Sequence, residues 1–283
     1  ENINPIQCMI GLGPGNGNRM PDDLVLRSKN GKELPIGESS LSPLLDASGQ
    51  SLGLILVFKD LTEKKEHEKL LHEMDLQRKR ALIEGQEKER ERIAKDIHDG
   101  LGQMLNAIKM NVSLVIPNPS DAANLSRLLN EAIQESIRIS ENLLPAKLRD
   151  FDLATCLKSL CAQVSHSTHS NISFHTHGFQ SPLCQSKKVN LYRIAQESVN
   201  NAIKHSKASS ITVQLSENSQ ALRLSIEDDG TGLADKKIMR QSGIVNMRDR
   251  AEIMGGKFTI ESDPHRGTLV IVEVPPDKMS INV

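Results

Sequence analysis

From Asp22 to Asp60 short β-prone runs alternate with turn signals. The runs Leu24–Arg27, Leu34–Leu41 and Leu52–Lys59 predict three strands, with turns at Lys29-Asn30-Gly31 and Ala47-Ser48-Gly49. Such a sheet buries little alone and needs a partner layer that the sequence does not supply. Residues 1–20 are rich in Gly, Asn and Pro, without periodicity, and read as loop. The pattern then turns helical. Asp60 with Glu63 makes a capping-box-like start, and no proline interrupts until Pro117. A helix of about 57 residues would reach roughly 85 Å. Its apolar stripe holds Leu70, Leu71, Met74, Leu82, Ile83, Ile93, Ile97, Leu101, Met104, Ile108 and Val112. It thins between Glu84 and Arg92, where the residues are almost wholly polar, and from Ile93 the steps are four, four, three, four and four.

Pro117-Asn118-Pro119-Ser120-Asp121 breaks this helix and caps another, carrying Leu125, Leu128, Leu129, Ala132, Ile133, Ser136, Ile137 and Leu144. Two helices joined by a short turn make an antiparallel hairpin with an apolar seam. Dimerising into a four-helix bundle is the natural way to cover it, so a homodimer is expected. After Asp150 helices are expected at Leu153–His166, Val189–Ser206 and Gly243–Met254. The strands expected are near Ile172–His175, at Ile211–Ser216 and Ala221–Asp228, and in a closing hairpin, Lys257–Ser262 with Thr268–Val274. Helices and a mostly antiparallel sheet in separate layers give an α+β sandwich.

Composition narrows the classes. The 283 residues carry a net charge of −1, which provides no global field for nucleic acid or an acidic membrane, and no DNA binding is expected. Hydrophobic residues are 37% and aromatics only 2%, so aliphatic side chains must fill the core. The longest apolar stretch, Leu54–Phe58, is far short of the ~20 residues of a membrane span, and no signal peptide is evident. A cytoplasmic location is expected, and a start at Glu1 rather than Met suggests a longer protein with any inner-membrane anchor upstream. Cys8, Cys156, Cys161 and Cys184 show no paired spacing; Cys156 and Cys161 read as small core residues. Cys184 near His166, His169, His175 and His177 raises zinc, but no CxxC or HxxxH pair anchors a site.

Three clusters point to a nucleotide. Glu197, Asn201 and Lys204 share one helix face, and a carboxylate with an amide oxygen suits Mg²⁺, leaving Lys204 or His205 for phosphate charge. Alone, this cluster would read rather as a solvated amphipathic helix. Asp228-Asp229-Gly230-Thr231-Gly232 follows a strand and can bring a carboxylate to an exocyclic amine such as that of adenine; the bland alternative is an acidic turn or calcium loop. Gly243 opens a helix whose N–H groups can meet phosphate, Gly255-Gly256 follows it and can be a simple C-cap, and Gly267-Thr268 lies in the last hairpin. Upstream, His98 sits beside the Ile97/Leu101 seam, with Asp99 adjoining it and Gln103 one turn beyond. A lone helical histidine is usually structural. A carboxylate beside it can orient the ring for nucleophilic attack, and Gln103 can position a water.

With these residues in place, the chain resembles bacterial two-component sensor histidine kinases of the nitrate-sensor and DesK-like subfamily. The likeness runs from about Glu87 to Pro275 through ERxRIAxxIHDxxGQ, LLPAKLRDFDL, YRIAQESVNNAIKH, DDGTG and GIVNMRDRAEIMGG to RGT. The upstream strands resemble the later half of a PAS domain, ending in Asp60-Leu61-Thr62. The resemblance implies a PAS-like segment at 1–60, a signalling helix at 61–92, a phosphotransfer hairpin at 93–150, a GHKL-type ATP-binding domain at 151–276 and a tail at 277–283. It implies that His98 accepts the γ-phosphoryl group of ATP with Asp99 as acid/base partner. Asp99 and Gln103 would also serve dephosphorylation of the partner. Glu197 and Asn201 would lie at Mg²⁺, with Glu197 also assisting proton removal, and Lys204 and His205 would lie near the phosphates. Asp228 would accept from adenine, and Gly230, Gly232, Gly243, Gly267 and Thr268 would shape the pocket and its lid. The partner implied is a response regulator with a receiver domain and a helix-turn-helix output. Gln241 and His265 stand where many relatives have glycine, so a lid that is stiffer or binds phosphate less generously is expected. Two rivals stay open: an ATPase or serine kinase of the same ATP fold, and a degenerate scaffold that binds ATP without transferring phosphate.

Overall fold

A computed structural model describes residues 24–27, 30–31, 33–116, 118–143, 147–168, 170–179, 182–232, 242–264 and 266–277. The chain divides into two compact units, 1–75 and 76–283. In the first, β1 (Leu24–Arg27), β2 (Glu33–Leu45) and β3 (Ser51–Asp60) form an antiparallel sheet in the order β1-β2-β3. Gly31 and Gly49, both at positive φ, turn the two hairpins. Ile36 is buried, while Val25, Leu44, Leu45, Leu52, Ile55, Val57 and Phe58 stay exposed. The sheet thus lacks the covering layer it needs among the described residues.

A helix, α1 (Thr62–Asp96), follows. The Asp60 Oδ1 accepts from Thr62 N–H and hydroxyl, at 2.8 and 2.6 Å, closing a local turn at the start of the helix. At Ile97–Gly102 the helix widens into a π-helical turn before continuing as α2 (Gln103–Val115). Two successive four-residue steps, Ile93 to Ile97 to Leu101, are what such a turn accommodates. Asn118 caps α3 (Pro119–Leu143), its Oδ1 accepting from Ser120 N–H, with Pro119 at the first helical position. Ala94, Val112, Leu129 and Ser136 are buried on α1, α2 and α3; Leu101, Met104, Ile108, Leu128 and Ile137 are exposed. Half the seam read from the sequence therefore lies uncovered in a single chain.

The remainder is a sandwich of helices on one sheet. After the single turn α4 (Lys147–Asp150), Asp152 caps α5 (Leu153–Ser167) by accepting from Thr155 N–H at 2.7 Å. Then come β4 (Asn171–His177), α6 (Gln185–Asn201) with a π-helical turn at Ala202–Ser206, β5 (Ser210–Glu217) and β6 (Leu222–Asp228). The chain closes with α7 (Ser242–Ile253), β7 (Lys257–Asp263) and β8 (Gly267–Val274). The sheet order is β4-β5-β6-β8-β7, antiparallel except for β4 with β5. Leu157, Leu191, Ile194, Val213, Leu224 and Val272 fill the space between layers, joined by Cys156 and Cys161 as expected. Burial pushes the Cys161 thiol up to about 11. Gly255 and Gly256 end α7 as a C-cap, their N–H groups donating to the Glu252 and Ala251 carbonyls.

Candidate functional site

Between α6, the start of α7 and the β6–β8–β7 face lies a cavity of about 560 Å³. Three strands build its apolar floor: Val270 is the cross-strand partner of Ile226 on one side and of Ile260 on the other. Two residues along, Asp228 pairs with Thr268, so a carboxylate and a hydroxyl stand at the edge of that floor on the same face. Asp228 is buried, and its Oδ1 accepts from Gly230 N–H at 2.9 Å. That bond fixes the carboxylate; among the described residues its other oxygen has no partner.

On the opposite wall, Glu197, Asn201, Lys204 and His205 line the cavity from α6 and the π-helical turn that follows. In an α-helix residues four and seven apart share a face. The widened turn then brings both Lys204 and His205 to the rim. A Cβ on Gly243 would stand 2.3 Å from Glu197 Oε1 and 3.7 Å from Asn201 Nδ2, so the missing side chain is what admits the carboxylate against α7. Glu197 thereby lies at the first turn of α7, the end that favours negative charge. A carboxylate and an amide one turn apart, both facing a cavity with basic groups at its edge, are hard oxygen donors that fit Mg²⁺ shared with phosphates.

The glycines divide by role. Gly232 and Gly243 line the cavity, whereas Gly230 and Gly267 do not. At Gly230 a Cβ would meet the Ser206 carbonyl oxygen at 2.3 Å; at Gly267, with φ +84°, it would meet the Asp228 carbonyl oxygen at 1.8 Å. These two let backbone pass against backbone and so hold Asp228 in place. Gln241 and His265, the departures noted in the sequence, lie outside the described residues, as does Cys8. The apolar lining of Ile226, Ile244, Met247, Ile260 and Val270 was not singled out from the sequence, although the alternation along β6 carries Ile226. Nor was Ser198, whose hydroxyl lies 3.2 Å from the Met247 sulfur.

His98, Asp99 and Gln103 are elsewhere, on the hairpin. His98 projects from the π-helical turn with its side chain 70% exposed, and its Nδ1 is 2.9 Å from Asp99 Oδ1. Gln103 begins α2 one turn further on and is exposed. These three residues and the cavity thus lie on different elements, and His98 does not line the cavity.

A third feature was missed altogether. Glu87 on α1 receives Arg193 of α6 at 2.8 and 3.0 Å and Arg250 of α7 at 2.7 Å. Burial works to raise the Glu87 carboxyl, and the bonds and charges of the two arginines overcome it, holding it below the ordinary carboxylate range. The polar stretch Glu84–Arg92, which the sequence presents as a gap in the stripe, is here partly a contact with the sandwich.

Comparison with known proteins bears on all of this. Residues 89–148 match the histidine kinase family, and residues 186–278 match the histidine kinase-, DNA gyrase B-, and HSP90-like ATPase family. The signal transduction histidine-protein kinase/phosphatase UhpB of Salmonella typhimurium is 31% identical over 202 residues, 69% of this chain and 40% of that protein. Sensor protein VraS of Staphylococcus aureus is 30% identical over 199 residues, 68% of this chain and 57% of that protein. The chain therefore spans about half the length of these relatives. Among solved structures, the histidine kinase domain of the Erythrobacter litoralis blue-light activated histidine kinase aligns with a TM-score of 0.41 at 18% identity, covering 62% of this chain and 96% of that one. No helix among the described residues is long and apolar enough to cross a membrane. With both family segments in their order, the hairpin first and the sandwich after it, the chain belongs to the bacterial sensor histidine kinases.

Proposed function

We propose that this chain is the transmitter of a two-component system, which phosphorylates His98 from ATP and passes the phosphoryl group to an aspartate of a response regulator. The observation that carries the reading is the pairing of an exposed His98–Asp99 hydrogen bond with a cavity that gathers Glu197, Asn201 and Asp228 in one chain. Adenine enters over the Ile226–Val270 floor and donates its amine to Asp228. Lys204 and His205 face the phosphates. Glu197 and Asn201 hold Mg²⁺, which when bound neutralises charge on the transferred phosphoryl group. When Nδ1–H of His98 donates to Asp99, the free lone pair is on Nε2. Nε2 attacks the γ-phosphorus, the bond to the bridging oxygen breaks, and ADP leaves; Asp99 stabilises the positive ring that results. Regulator phosphorylation then breaks the Nε2–P bond and forms a carboxylate O–P bond.

The exposed Leu101, Met104, Ile108 and Leu128 support a homodimer whose second copy completes a four-helix bundle. Asp99 and Gln103, one turn apart and exposed beside His98, support a phosphatase role in which Gln103 positions water. We assign residues 61–92 to the signalling helix, 93–150 to phosphotransfer and 151–276 to ATP binding, in a protein that acts in the cytoplasm with any anchor upstream. The test is incubation with Mg²⁺ and γ-labelled ATP. Acid-labile label on the intact chain, absent from His98→Gln and Asp228→Ala, is the expected result. Label persisting in His98→Gln would overturn the assignment, and ATP binding without label would favour the scaffold.

A further inference from the structure

Three polar side chains stand in one cross-strand row at the end of the cavity's apolar floor. Asp228 on β6 is the partner of Thr268 on β8, and Thr268 is the partner of Ser262 on β7. The next row on the same face, Ile226, Val270 and Ile260, is the floor itself. Asp228 and Thr268 line the cavity, whereas Ser262 stands behind them. Ser262 has no part in the chemistry described so far.

The hydrogen bonds of this row decide what each group offers a ligand. The Ser262 hydroxyl donates to the Gly267 carbonyl at 2.9 Å and lies 3.1 Å from the Thr268 hydroxyl. A carbonyl has no proton to give, so the single proton of Ser262 is committed to Gly267. The contact between the two hydroxyls then has one donor left, and Thr268 gives its proton to Ser262 Oγ. Toward the cavity Thr268 therefore presents a lone pair and no proton. Asp228 is an acceptor there too: its Oδ1 takes Gly230 N–H at 2.9 Å, and its second oxygen has no partner among the described residues. Two acceptors side by side match the two N–H groups of an exocyclic amine, taken directly or through one water. They oppose a base with a carbonyl at that position, because lone pairs would meet lone pairs.

We propose that Ser262 is a positioning residue that sets the base preference of this site: by drawing the Thr268 proton away from the cavity, it keeps a two-acceptor edge that takes a 6-amino purine and turns away a 6-oxo purine. The inference rests on the reading of the cavity as an ATP site. The anchor is firm, because Gly267, which takes the Ser262 proton, packs directly against the Asp228 backbone. Without the Ser262 hydroxyl the Thr268 proton needs another acceptor. Directly opposite residues have Cβ atoms about 5 Å apart, so the freed hydroxyl can turn onto Asp228 and occupy the oxygen that the amine uses. It can equally donate to a carbonyl on the base. One lost hydroxyl thus weakens one class of nucleotide and favours the other, whereas a loosened hairpin would weaken both.

The experiment is calorimetry at fixed Mg²⁺ with ATP and with inosine triphosphate, which carries a carbonyl in place of the 6-amino group. The chains compared are the intact protein, Ser262→Ala and Ser262→Thr. The intact chain should favour ATP. Ser262→Ala should lower the ratio of the two affinities by about tenfold, the scale of one hydrogen bond to a charged group, through weaker ATP and stronger inosine triphosphate. Ser262→Thr keeps the hydroxyl and should keep the ratio. Equal loss of both nucleotides in Ser262→Ala, or no change in either, would overturn the proposal and leave Ser262 a structural part of the hairpin. Thr268→Val removes the reading hydroxyl itself and serves even if Ser262→Ala does not fold. Its ratio should also fall, and adding Ser262→Ala to it should change the ratio no further. An unchanged ratio in Thr268→Val, or a further fall in the double variant, would overturn the proposal independently. An intact chain that binds both nucleotides alike, or neither, would instead sink the ATP reading on which the inference rests.

Discussion

Gly243→Ala separates chemistry from stability at a single position. The added methyl would stand 2.3 Å from Glu197 Oε1, and ordinary contact begins near 3.4 Å, so the carboxylate must retreat by about an ångström. The atom it meets ends a flexible side chain, so folding should tolerate the change. Pushing Glu197 off its rotamer costs about 1 kcal/mol, and replacing glycine by alanine within a helix returns about the same. Unfolding free energy in urea should therefore shift by less than about 1 kcal/mol. Catalysis has no such tolerance. A reacting or metal-binding group misplaced by about 1 Å commonly loses about 100-fold in rate. Single-turnover labelling of His98 at saturating Mg²⁺ and ATP should thus fall about 10- to 100-fold. Labelling within twofold of the parent would refute the placement of Glu197 in the chemistry, and a collapse of stability would refute the claim that it can swing aside.

Asp228→Asn keeps a group that can accept Gly230 N–H but weakens acceptance from adenine, so calorimetry should show ATP affinity reduced by about 2 kcal/mol with little change in melting temperature. Gly267→Ala should do the reverse, losing about 3 kcal/mol or more of stability in urea because its methyl runs into the Asp228 backbone at positive φ. Tyr192, the one tyrosine, is pushed up to about 12 by burial against the pull of Arg193. A folded pKa above the ordinary 10.0 gives stability that is complete below pH 10 and lost as pH rises toward 12. That loss amounts to about 3 kcal/mol, and Tyr192→Phe should remove it, as urea titrations across that window would show. Iodoacetamide at pH 8 should alkylate exposed Cys184 promptly and spare Cys161 until the chain unfolds, a result readable by mass spectrometry.

The helices and strands were legible because their signals are local. Periodicity gave α1 through α3, and alternation gave β5, β6 and β8 to within a few residues. The Glu197–His205 helix and the Asp228 turn were legible as separate motifs, and the cavity that unites them follows from the strand order, which no local pattern encodes. Illegible were contacts between distant residues that are individually ordinary. Arg193 and Arg250 look like any exposed arginine on a polar helix face, yet both are buried; their partner is about a hundred residues or more upstream in a run that reads as surface. Gly230 and Gly267 were legible through the DDGTG and RGT motifs, but the backbone crossings they permit at the Ser206 and Asp228 carbonyls need the tertiary fold to be seen.

The π-helical turn at Ile97–Gly102 has a further consequence for the continuous helix that contains it. A helix behaves as a screw, and an extra residue carried in one wide turn offsets the thread beyond it by about 100°. The offset can travel: each hydrogen bond that re-forms in the ordinary register moves the wide turn one residue along, without breaking the rod. The residues that the wide turn passes therefore change phase against the rest of the rod, while α1 and α2 keep their ends and their phase relative to each other. His98 rides on the travelling segment, so its azimuth is the coordinate that such a slip would alter first.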